Sequence, residues 1–436
     1  MARRLFGTDG VRGVAGEFLS ADLALSLGRA AAATSAADAP QVLIVRDTRE
    51  SGEMLEAAVA AGVAAGGGHA LLGGVLPTPG AALLVRRYGF DLAAVVSASH
   101  NPYEDNGIKF FGSDGTKIDD AAEEEMEGLL EEPAKRPIGR VRELHGAAGD
   151  YERELELRFK DLDLSGRRVL LDCANGASYR VAPEVFRRLG AEVEAIAAQP
   201  DGRNINDGCG STHVEALAGR VAEGGYDVGF AFDGDADRVV AVDRNGTVVD
   251  GDELMALAAL HLREAGRLSG NGVAVTVMTN YGFHTAMKDA GIEVATTSVG
   301  DRYVLAELLK RGWALGGEQS GHIIDTGFVP AGDGTASALL TMEALADGDL
   351  ADRHAMERLP QTLVNVRVAS KDGLDEAQAL WDAVEKESKG LEGRGRVLVR
   401  PSGTEPLVRV MVEAPDADEC QEIAARLAGI VEAELR

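Results

Sequence analysis

The sequence has few cysteines and no long apolar run. Its three cysteines, Cys173, Cys209 and Cys420, are too few and too widely spaced for a disulfide framework or a zinc site, which is typical of a reducing compartment. No stretch approaches the roughly 18 apolar residues of a membrane-spanning helix, and the N-terminal residues lack the apolar core of a signal peptide. We therefore expect a cytoplasmic protein without a membrane partner.

Basic residues are also scarce. Lysine and arginine together number 44 against 71 aspartates and glutamates, which gives a net charge of −27. Because phosphate backbones bind to basic surfaces, this balance excludes nucleic acid as a general partner. A small phosphorylated substrate stays possible where arginines cluster locally. The sequence leaves open whether the chain is a monomer or a homodimer.

Short β-branched runs alternate with alanine-rich helical stretches along most of the 436 residues, which is the pattern of an α/β protein. The pattern restarts twice. In the C-terminal part, residues 407–413 alternate apolar and polar side chains as a half-buried strand does, and helical stretches flank the strands there. We predict three successive similar α/β domains, at residues 1–148, 149–251 and 252–362. A smaller α+β domain at residues 363–436 completes the chain, and the four domains are expected to surround a central cleft.

Three aspartates, Asp233, Asp235 and Asp237, directly follow a short apolar strand. Carboxylates at this spacing repel one another unless a cation or hydrogen bonds compensate, and oxygen ligands of this kind suit Mg²⁺. A solvated acidic turn is the alternative. An EF-hand is excluded, because Arg238 and Arg244 stand where its glycine and glutamate would be.

A second polar segment, Arg400-Pro401-Ser402-Gly403-Thr404-Glu405-Pro406, follows another strand. Hydroxyl groups, a glycine that allows close backbone approach and the guanidinium groups of Arg400 and Arg409 together suit a phosphate group. The alternative is an ordinary turn between two strands. A nucleotide-binding P-loop is absent from the sequence.

Glu318, Ser320 and His322 occupy alternate positions. In an extended loop their side chains would point the same way and could bind sugar hydroxyl groups. A solvated loop without a ligand is an equally good interpretation of these three residues alone.

Ser99 lies in Ser97-Ala98-Ser99-His100-Asn101-Pro102, just after an apolar run. The segment lacks the G-x-S-x-G pattern of many serine hydrolases, and adjacent side chains usually diverge, so we expect His100 to be a poor base for Ser99. Two interpretations stay open. The segment is either a capped turn before Pro102 or a site where Ser99 carries a phosphoryl group, with Lys109 close to it.

The four motifs together resemble the α-D-phosphohexomutase superfamily, because they occur in the same order. The resemblance extends from residues 6–13 to the last domain. It implies that Ser99 is a phosphoserine and that its phosphate and the three aspartates hold one Mg²⁺ per chain. Arg12, Lys109 and Arg238 would line the reacting phosphate, with Lys109 the first candidate for proton exchange and His100 the second.

The resemblance also assigns the substrate contacts. The sugar would be bound by Glu318, Ser320 and His322. The phosphate that does not react would be bound by Arg400, Ser402, Gly403, Thr404 and Arg409.

Three stretches, at residues 6–13, 204–213 and 299–304, are similar to superfamily members that act on glucosamine phosphates. The resemblance implies interconversion of glucosamine 6-phosphate and glucosamine 1-phosphate, which supplies the synthesis of UDP-N-acetylglucosamine. Glucosamine 1,6-bisphosphate, or a similar sugar bisphosphate, would be both intermediate and activator. Residues 45–49 depart from the superfamily, which often has glycine before the basic residue, so the role of this turn is open.

Two other classes of function share parts of this site. A metal-dependent phosphatase would use the same aspartates and release inorganic phosphate. A non-catalytic protein would bind a sugar phosphate without turnover. No feature of the sequence favours either class over a mutase.

Overall fold

The computed structural model describes residues 5–7, 9–132, 136–371, 373–402 and 406–435. These residues form two compact units. The first unit comprises the described residues of Met1–Met278 and Glu293–Arg353, and the second those of Thr279–Ile292 and His354–Arg436. No helix in the described ranges has both the length and the apolar character needed to cross a membrane.

The first sheet has six strands in the order β1-β5-β4-β2-β3-β6. Its strands are β1 (Val11–Val14), β2 (Gln41–Arg46), β3 (His69–Val75), β4 (Leu92–Val96), β5 (Asp105–Gly112) and β6 (Arg140–Glu143). Its helices are α1 (Ala21–Thr34), α2 (Gly52–Ala65), α3 (Thr78–Tyr88), α4 (Asp120–Gly128) and α5 (Ala147–Arg158). Strand β2 pairs in parallel with β3 and β4, whereas β5 runs antiparallel to β4.

The second sheet has the order β11-β10-β9-β7-β8. Its strands are β7 (Arg168–Asp172), β8 (Glu192–Ile196), β9 (Val228–Phe232), β10 (Val239–Asp243) and β11 (Val248–Val249), with helices α6 (Val181–Arg188) and α7 (Glu215–Gly224). Strands β9 and β10 are buried along their whole length and pair antiparallel, so the six residues between them form a tight connection.

The third sheet has the order β13-β12-β14-β15. Its strands are β12 (Gly272–Thr276), β13 (Glu293–Thr297), β14 (Leu315–Gly317) and β15 (Ile323–Asp325). In the first unit, helices α8 (Gly251–Glu264), α10 (Asp301–Arg311) and α11 (Gly334–Leu345) belong to the same stretch of chain.

The second unit contains a three-stranded antiparallel sheet in the order β16-β18-β17. Its elements are α9 (Tyr281–Asp289), β16 (Gln361–Arg367), α12 (Gln378–Gly390), β17 (Arg396–Pro401), β18 (Leu407–Glu413) and α13 (Ala417–Glu434). One face of α13 packs on this sheet and contributes Cys420, Leu427 and Val431 to its core. The predicted fold class, three α/β domains followed by a smaller α+β domain, is confirmed, whereas the domain boundaries and the cleft stay predictions.

In the first unit, polar loops follow the carboxyl ends of buried strands. This is the usual place for a binding site in α/β proteins. Ser99 follows β4, Asp233 follows β9 and Glu318 follows β14. Helix α11 begins beside the second of these loops, where the Gly334 N–H donates a hydrogen bond to the Ala236 carbonyl. The fold therefore fixes both the aspartate loop and the start of α11.

The N-cap of α11 is a buried carboxylic acid. Asp333 accepts hydrogen bonds from the Ala336 N–H at 2.9 Å and from the Tyr151 hydroxyl at 2.8 Å. Both donors favour the charged form, but burial outweighs them and raises the pKa of Asp333 to about 6. The cap is therefore sensitive to pH.

We predict that Asp333 makes the fold less stable as the pH rises. A folded-state pKa above the unfolded value contributes stability that is full below pH about 4 and is lost through pH about 6. Asp333→Asn imitates the protonated acid, so it should match the parent near pH 4. It should exceed the parent by up to about 3 kcal/mol of unfolding free energy above pH 7, from a pKa shift of about two units.

Urea unfolding of both proteins at a series of pH values measures this difference. Asp347→Asn, which removes an exposed acid, is the control and should leave the profile unchanged. A parent and an Asp333→Asn variant with parallel profiles would contradict the assignment.

Candidate active site

The Ser99 loop (residues 97–102) places a buried serine hydroxyl against a carboxylate. Ser99 is 1% exposed, and its Oγ donates a hydrogen bond to Oδ2 of Asp233 at 2.5 Å. The same Oγ lies 3.3 Å from Nδ1 of His100. The expectation that these adjacent side chains diverge was therefore wrong, and the reason is that Ser99 has a left-handed backbone with φ of 53°.

The loop is also a capped turn. The Ser97 hydroxyl accepts a hydrogen bond from the Ser99 N–H at 2.9 Å, and the Asn101 N–H donates to the Ala98 carbonyl at 3.2 Å. The Asn101 side chain donates to Asp105 at 3.0 Å. The capped-turn interpretation of this segment and the phosphate-site interpretation are compatible, because the turn is what presents Ser99.

The aspartate loop (residues 233–238) brings three carboxylates together. One oxygen each of Asp233, Asp235 and Asp237 lies within 4.8 Å of the other two, and all three residues are buried. Burial, followed by the charges of Asp237 and Asp235, raises the pKa of Asp233 well above its usual value. Among the described residues, Oδ1 of Asp235 and Oδ1 of Asp237 have no hydrogen-bond partner. Buried carboxylate oxygens without donors are what a divalent cation requires, so these residues fit a Mg²⁺ ion.

A buried lysine offsets part of this negative charge. Lys109 on β5 places Nζ 2.9 Å from Oδ2 of Asp235, 3.8 Å from Asp237 and 3.2 Å from Asp9. Burial disfavours the ammonium, but the carboxylates of Asp235 and Asp9 outweigh burial and raise the pKa of Lys109. Lys109 is therefore a firmly charged group beside the aspartate loop.

Two arginines lie near His100. Burial and then the positive charges of Arg238 and Arg12 lower the pKa of His100, which favours the neutral form of its ring. The Arg238 Nε lies 3.8 Å from Oδ1 of Asp237, and Arg12 pairs with Asp9. Both guanidinium groups are about a quarter exposed, so each can meet an anion that enters from solvent.

The segment with Glu318, Ser320 and His322 is a hairpin turn, so the extended loop in which the three side chains would point the same way is not formed. The Glu318 N–H donates to the His322 carbonyl at 3.0 Å, which closes the turn between β14 and β15. Ser320 is therefore exposed, whereas His322 is buried with Nδ1 3.6 Å from Oδ2 of Asp237. The Glu318 carboxylate accepts a hydrogen bond from the Gly300 N–H at 3.0 Å.

Several polar contacts of this site were not predicted from the sequence. The Thr78 hydroxyl donates to Oδ2 of Asp235 at 2.6 Å. Lys117 bridges Asp301, at 2.6 Å, and Asp9. Thr78 comes shortly after the carboxyl end of β3, and this position was the available signal for it. Nothing in the sequence pairs Lys117 with Asp301, which lies 184 residues away.

The predicted phosphate loop lies in the second unit. Arg400 on β17 is the register partner of Arg409 on β18. Burial and the neighbouring charge of Arg409 lower the pKa of Arg400, as expected for two cations side by side. Ser402 is buried at the end of β17, whereas Gly403 and Thr404 lie outside the described residues. Paired guanidinium groups of this kind suit a phosphate.

Four sequence profiles of one family match consecutive parts of the chain. The alpha/beta/alpha domain I of phosphoglucomutase/phosphomannomutase matches residues 3–137, and domain II matches residues 144–246. Domain III matches residues 250–363, and the C-terminal domain matches residues 363–430. The four matches together span nearly the whole chain.

Relatives and solved structures agree with these profiles. The chain is 52% identical over 436 residues to the phosphoglucosamine mutase of Moorella thermoacetica. The aligned region covers 97% of this chain and 98% of that protein. It is 49% identical over 443 residues to the phosphoglucosamine mutase of Mycolicibacterium paratuberculosis, with 99% of each protein covered.

Two solved structures share the fold. A phosphoglucomutase/phosphomannomutase family protein of Burkholderia thailandensis superposes with a TM-score of 0.83 at 24% identity, over 98% of this chain and 97% of that one. The N-acetylphosphoglucosamine mutase of Aspergillus fumigatus, solved with GlcNAc-6P and magnesium, superposes with a TM-score of 0.66 at 18% identity, over 99% of this chain and 96% of that one. The resemblance stated from the sequence is confirmed, and the chain belongs to the phosphoglucomutase/phosphomannomutase family within the α-D-phosphohexomutase superfamily.

Proposed function

We propose that the chain interconverts glucosamine 6-phosphate and glucosamine 1-phosphate, with Ser99 as the residue that carries the phosphoryl group. The observation that carries this proposal is the hydrogen bond from Ser99 Oγ to Asp233 inside a cluster of three buried carboxylates. The glucosamine substrate is supported by two relatives named phosphoglucosamine mutase that match nearly the full chain. The reaction would supply UDP-N-acetylglucosamine synthesis in the cytoplasm.

The reaction transfers one phosphoryl group twice. The P–Oγ bond of phosphorylated Ser99 breaks as a bond forms to the 1-hydroxyl of glucosamine 6-phosphate, which gives the 1,6-bisphosphate. The bisphosphate turns end for end, and its 6-phosphoryl group returns to Ser99. Positioning and charge stabilisation supply most of the catalysis of such a step, and added bisphosphate would rephosphorylate an enzyme that has lost its phosphate.

The side chains around Ser99 have distinct roles in this scheme. Arg12, Lys109 and Arg238 would bind oxygens of the reacting phosphate. Asp233, Asp235 and Asp237, with the phosphate on Ser99, would hold one Mg²⁺, which when bound offsets negative charge on the transferred group.

A proton must leave the attacking hydroxyl and reach the departing serine oxygen. Of the two candidates, His100 lies 3.3 Å from Ser99 Oγ, whereas Lys109 forms an ion pair with Asp235. We therefore place His100 ahead of Lys109 for this role, which reverses the order that we assigned from the sequence.

The remaining contacts bind the part of the substrate that does not react. Glu318 and Ser320 would bind sugar hydroxyls, with His322 beside them. The distal phosphate would be bound by Arg400, Ser402, Gly403, Thr404 and Arg409. A loop of hydroxyls and guanidinium groups accepts a phosphate on either end of the sugar, as the reaction requires. The domain boundaries after residues 148, 251 and 362 are part of this proposal.

We expect glucosamine 6-phosphate to be converted faster than mannose or glucose phosphates, and a sugar bisphosphate to increase the rate. A coupled assay that detects the 1-phosphate, with and without bisphosphate, measures this preference. Turnover of mannose phosphate without turnover of glucosamine phosphate would contradict the substrate. Steady release of inorganic phosphate would identify a phosphatase instead.

Intact-mass analysis should show one phosphate on the purified protein. Ser99→Ala should remove it and abolish turnover, because the variant has no oxygen to carry the phosphoryl group. Ser113→Ala, which removes an exposed hydroxyl outside the Ser99 loop, is the matched control and should leave the phosphate in place. A phosphate retained by Ser99→Ala would show that another residue carries it.

Magnesium should stabilise the fold as well as support turnover, because it offsets repulsion among three buried carboxylates. A free concentration 100 times the Kd would add about 2.7 kcal/mol to the free energy of unfolding. Thermal unfolding with Mg²⁺ or a chelator measures this gain. Asp235→Ala should reduce it strongly, whereas Asp163→Asn, an exposed acid, should not. An equal gain in all three proteins would contradict the metal site.

A further inference from the structure

A buried arginine without an assigned role contacts the backbone of the Ser99 loop. Arg49 follows β2 and is 1% exposed. Its Nη2 donates hydrogen bonds to the Ser99 carbonyl at 3.1 Å and to the Asn101 carbonyl at 2.6 Å. Its Nη1 pairs with the buried carboxylate of Asp47. Arg49 thus links the end of one strand to the loop that follows its neighbour, β4.

Asp47 holds the same loop from the other side. Its Oδ2 accepts a hydrogen bond from the Ser97 hydroxyl at 2.6 Å, and that hydroxyl accepts from the Ser99 N–H at 2.9 Å. The Arg49 N–H donates to Oδ1 of Asp47 at 2.9 Å. The Asp47–Arg49 pair therefore engages the N–H and the carbonyl of Ser99 together.

A second donor reaches these carbonyls from the predicted α/β domain at residues 149–251. The Asn206 amide donates to the Ser99 carbonyl at 2.9 Å and to the Asn101 carbonyl at 3.0 Å. A carbonyl oxygen accepts two hydrogen bonds, so Arg49 and Asn206 satisfy both carbonyls fully. Thr48, between Asp47 and Arg49, donates to the Asn175 carbonyl at 2.5 Å and ties the same turn to this domain.

The backbone that these donors hold is unfavourable by itself. Ser99 has a φ of 53°, a left-handed conformation that residues other than glycine seldom adopt and that persists only where surrounding contacts impose it. This conformation is what places Oγ 2.5 Å from Asp233. A buried ion pair is weak evidence of a role in stability alone, because its replacement by apolar residues of similar volume often leaves a protein equally stable.

We propose that Arg49, paired with Asp47, is a positioning residue that holds the Ser99 carbonyl and thereby keeps Ser99 Oγ aimed at the aspartate loop during phosphoryl transfer. Asn206 shares this role. The inference rests on the proposal that Ser99 carries the phosphoryl group, and it extends that proposal to a residue that does not touch the substrate.

The test replaces Arg49 by lysine, because a single ammonium keeps the charge but cannot reach Asp47 and both carbonyls as the guanidinium fork does. We expect kcat for glucosamine 6-phosphate to fall on the order of 10- to 100-fold, the size of effect that a misplacement of about 1 Å produces. KM should change by less than about twofold, since substrate contacts are intact. Arg46→Lys is the matched control, because Arg46 pairs with Glu53 and Glu56 and should keep its kcat.

Asn206→Ala supplies a second variant that removes the shared donor without a buried charge change, should Arg49→Lys fail to fold. It should show the same fall in kcat at constant KM, and the double variant should lose less than the product of the two single effects, because both act on the same carbonyls. Wild-type kcat in both folded variants, or an effect on KM alone, would overturn the inference.

The phosphate content of Ser99 separates this outcome from a failure of the proposed function. If intact mass shows a phosphate that Ser99→Ala removes and the coupled assay shows the mutase reaction, the proposed function stands and the variants test Arg49 alone. In that case the phosphate on Arg49→Lys should also be lost to water faster than in the parent, since the loop no longer holds it in place. Parent-like hydrolysis together with parent-like kcat would contradict the role of Arg49.

Discussion

The first unit is organised around the repulsion among three carboxylates. Asp233, Asp235 and Asp237 hold their oxygens within 4.8 Å of one another in a buried loop, which is unfavourable unless positive charge is supplied. Lys109 supplies some of it through its contact with Asp235. The positive charge that is still needed is the reason why we propose that the loop binds a cation and, through Arg238, a phosphate.

The Ser99 loop contacts the same carboxylate cluster, because the Ser99 hydroxyl donates a hydrogen bond to Asp233. The Ser99 Oγ lies 2.5 Å from the Asp233 carboxylate, so a phosphoryl group carried there, as we propose, would lie beside the aspartate loop. The left-handed conformation that produces this placement is held from both sides, by Arg49 through the carbonyl and by Ser97 through the N–H. The proposed chemistry at Ser99 would therefore depend on hydrogen bonds made by Arg49 and Ser97, which are not among its proposed substrate contacts.

The sequence predicted the parts of this arrangement that local pattern controls. The apolar run noted before the Ser99 segment is strand β4 (Leu92–Val96), in which apolar residues are followed directly by polar ones. Strand β5 (Asp105–Gly112) was missed, since it is buried on both faces and carries Asn106 and Lys109, which remove the alternating pattern. The motif residues were recognised from their order along the chain.

Other contacts could not have been predicted from the sequence. Arg49 and Ser99 are 50 residues apart, and Asn206 and Ser99 are 107 apart, so only the tertiary fold brings them together. In the proposed mechanism, Ser99 passes its phosphoryl group to a sugar phosphate. A single-turnover experiment with radiolabelled phosphoenzyme and glucosamine 6-phosphate tests it most directly. Label should leave the protein at least as fast as kcat and appear first in the 1,6-bisphosphate. Label that stays on the protein, or appears as inorganic phosphate, would contradict the account.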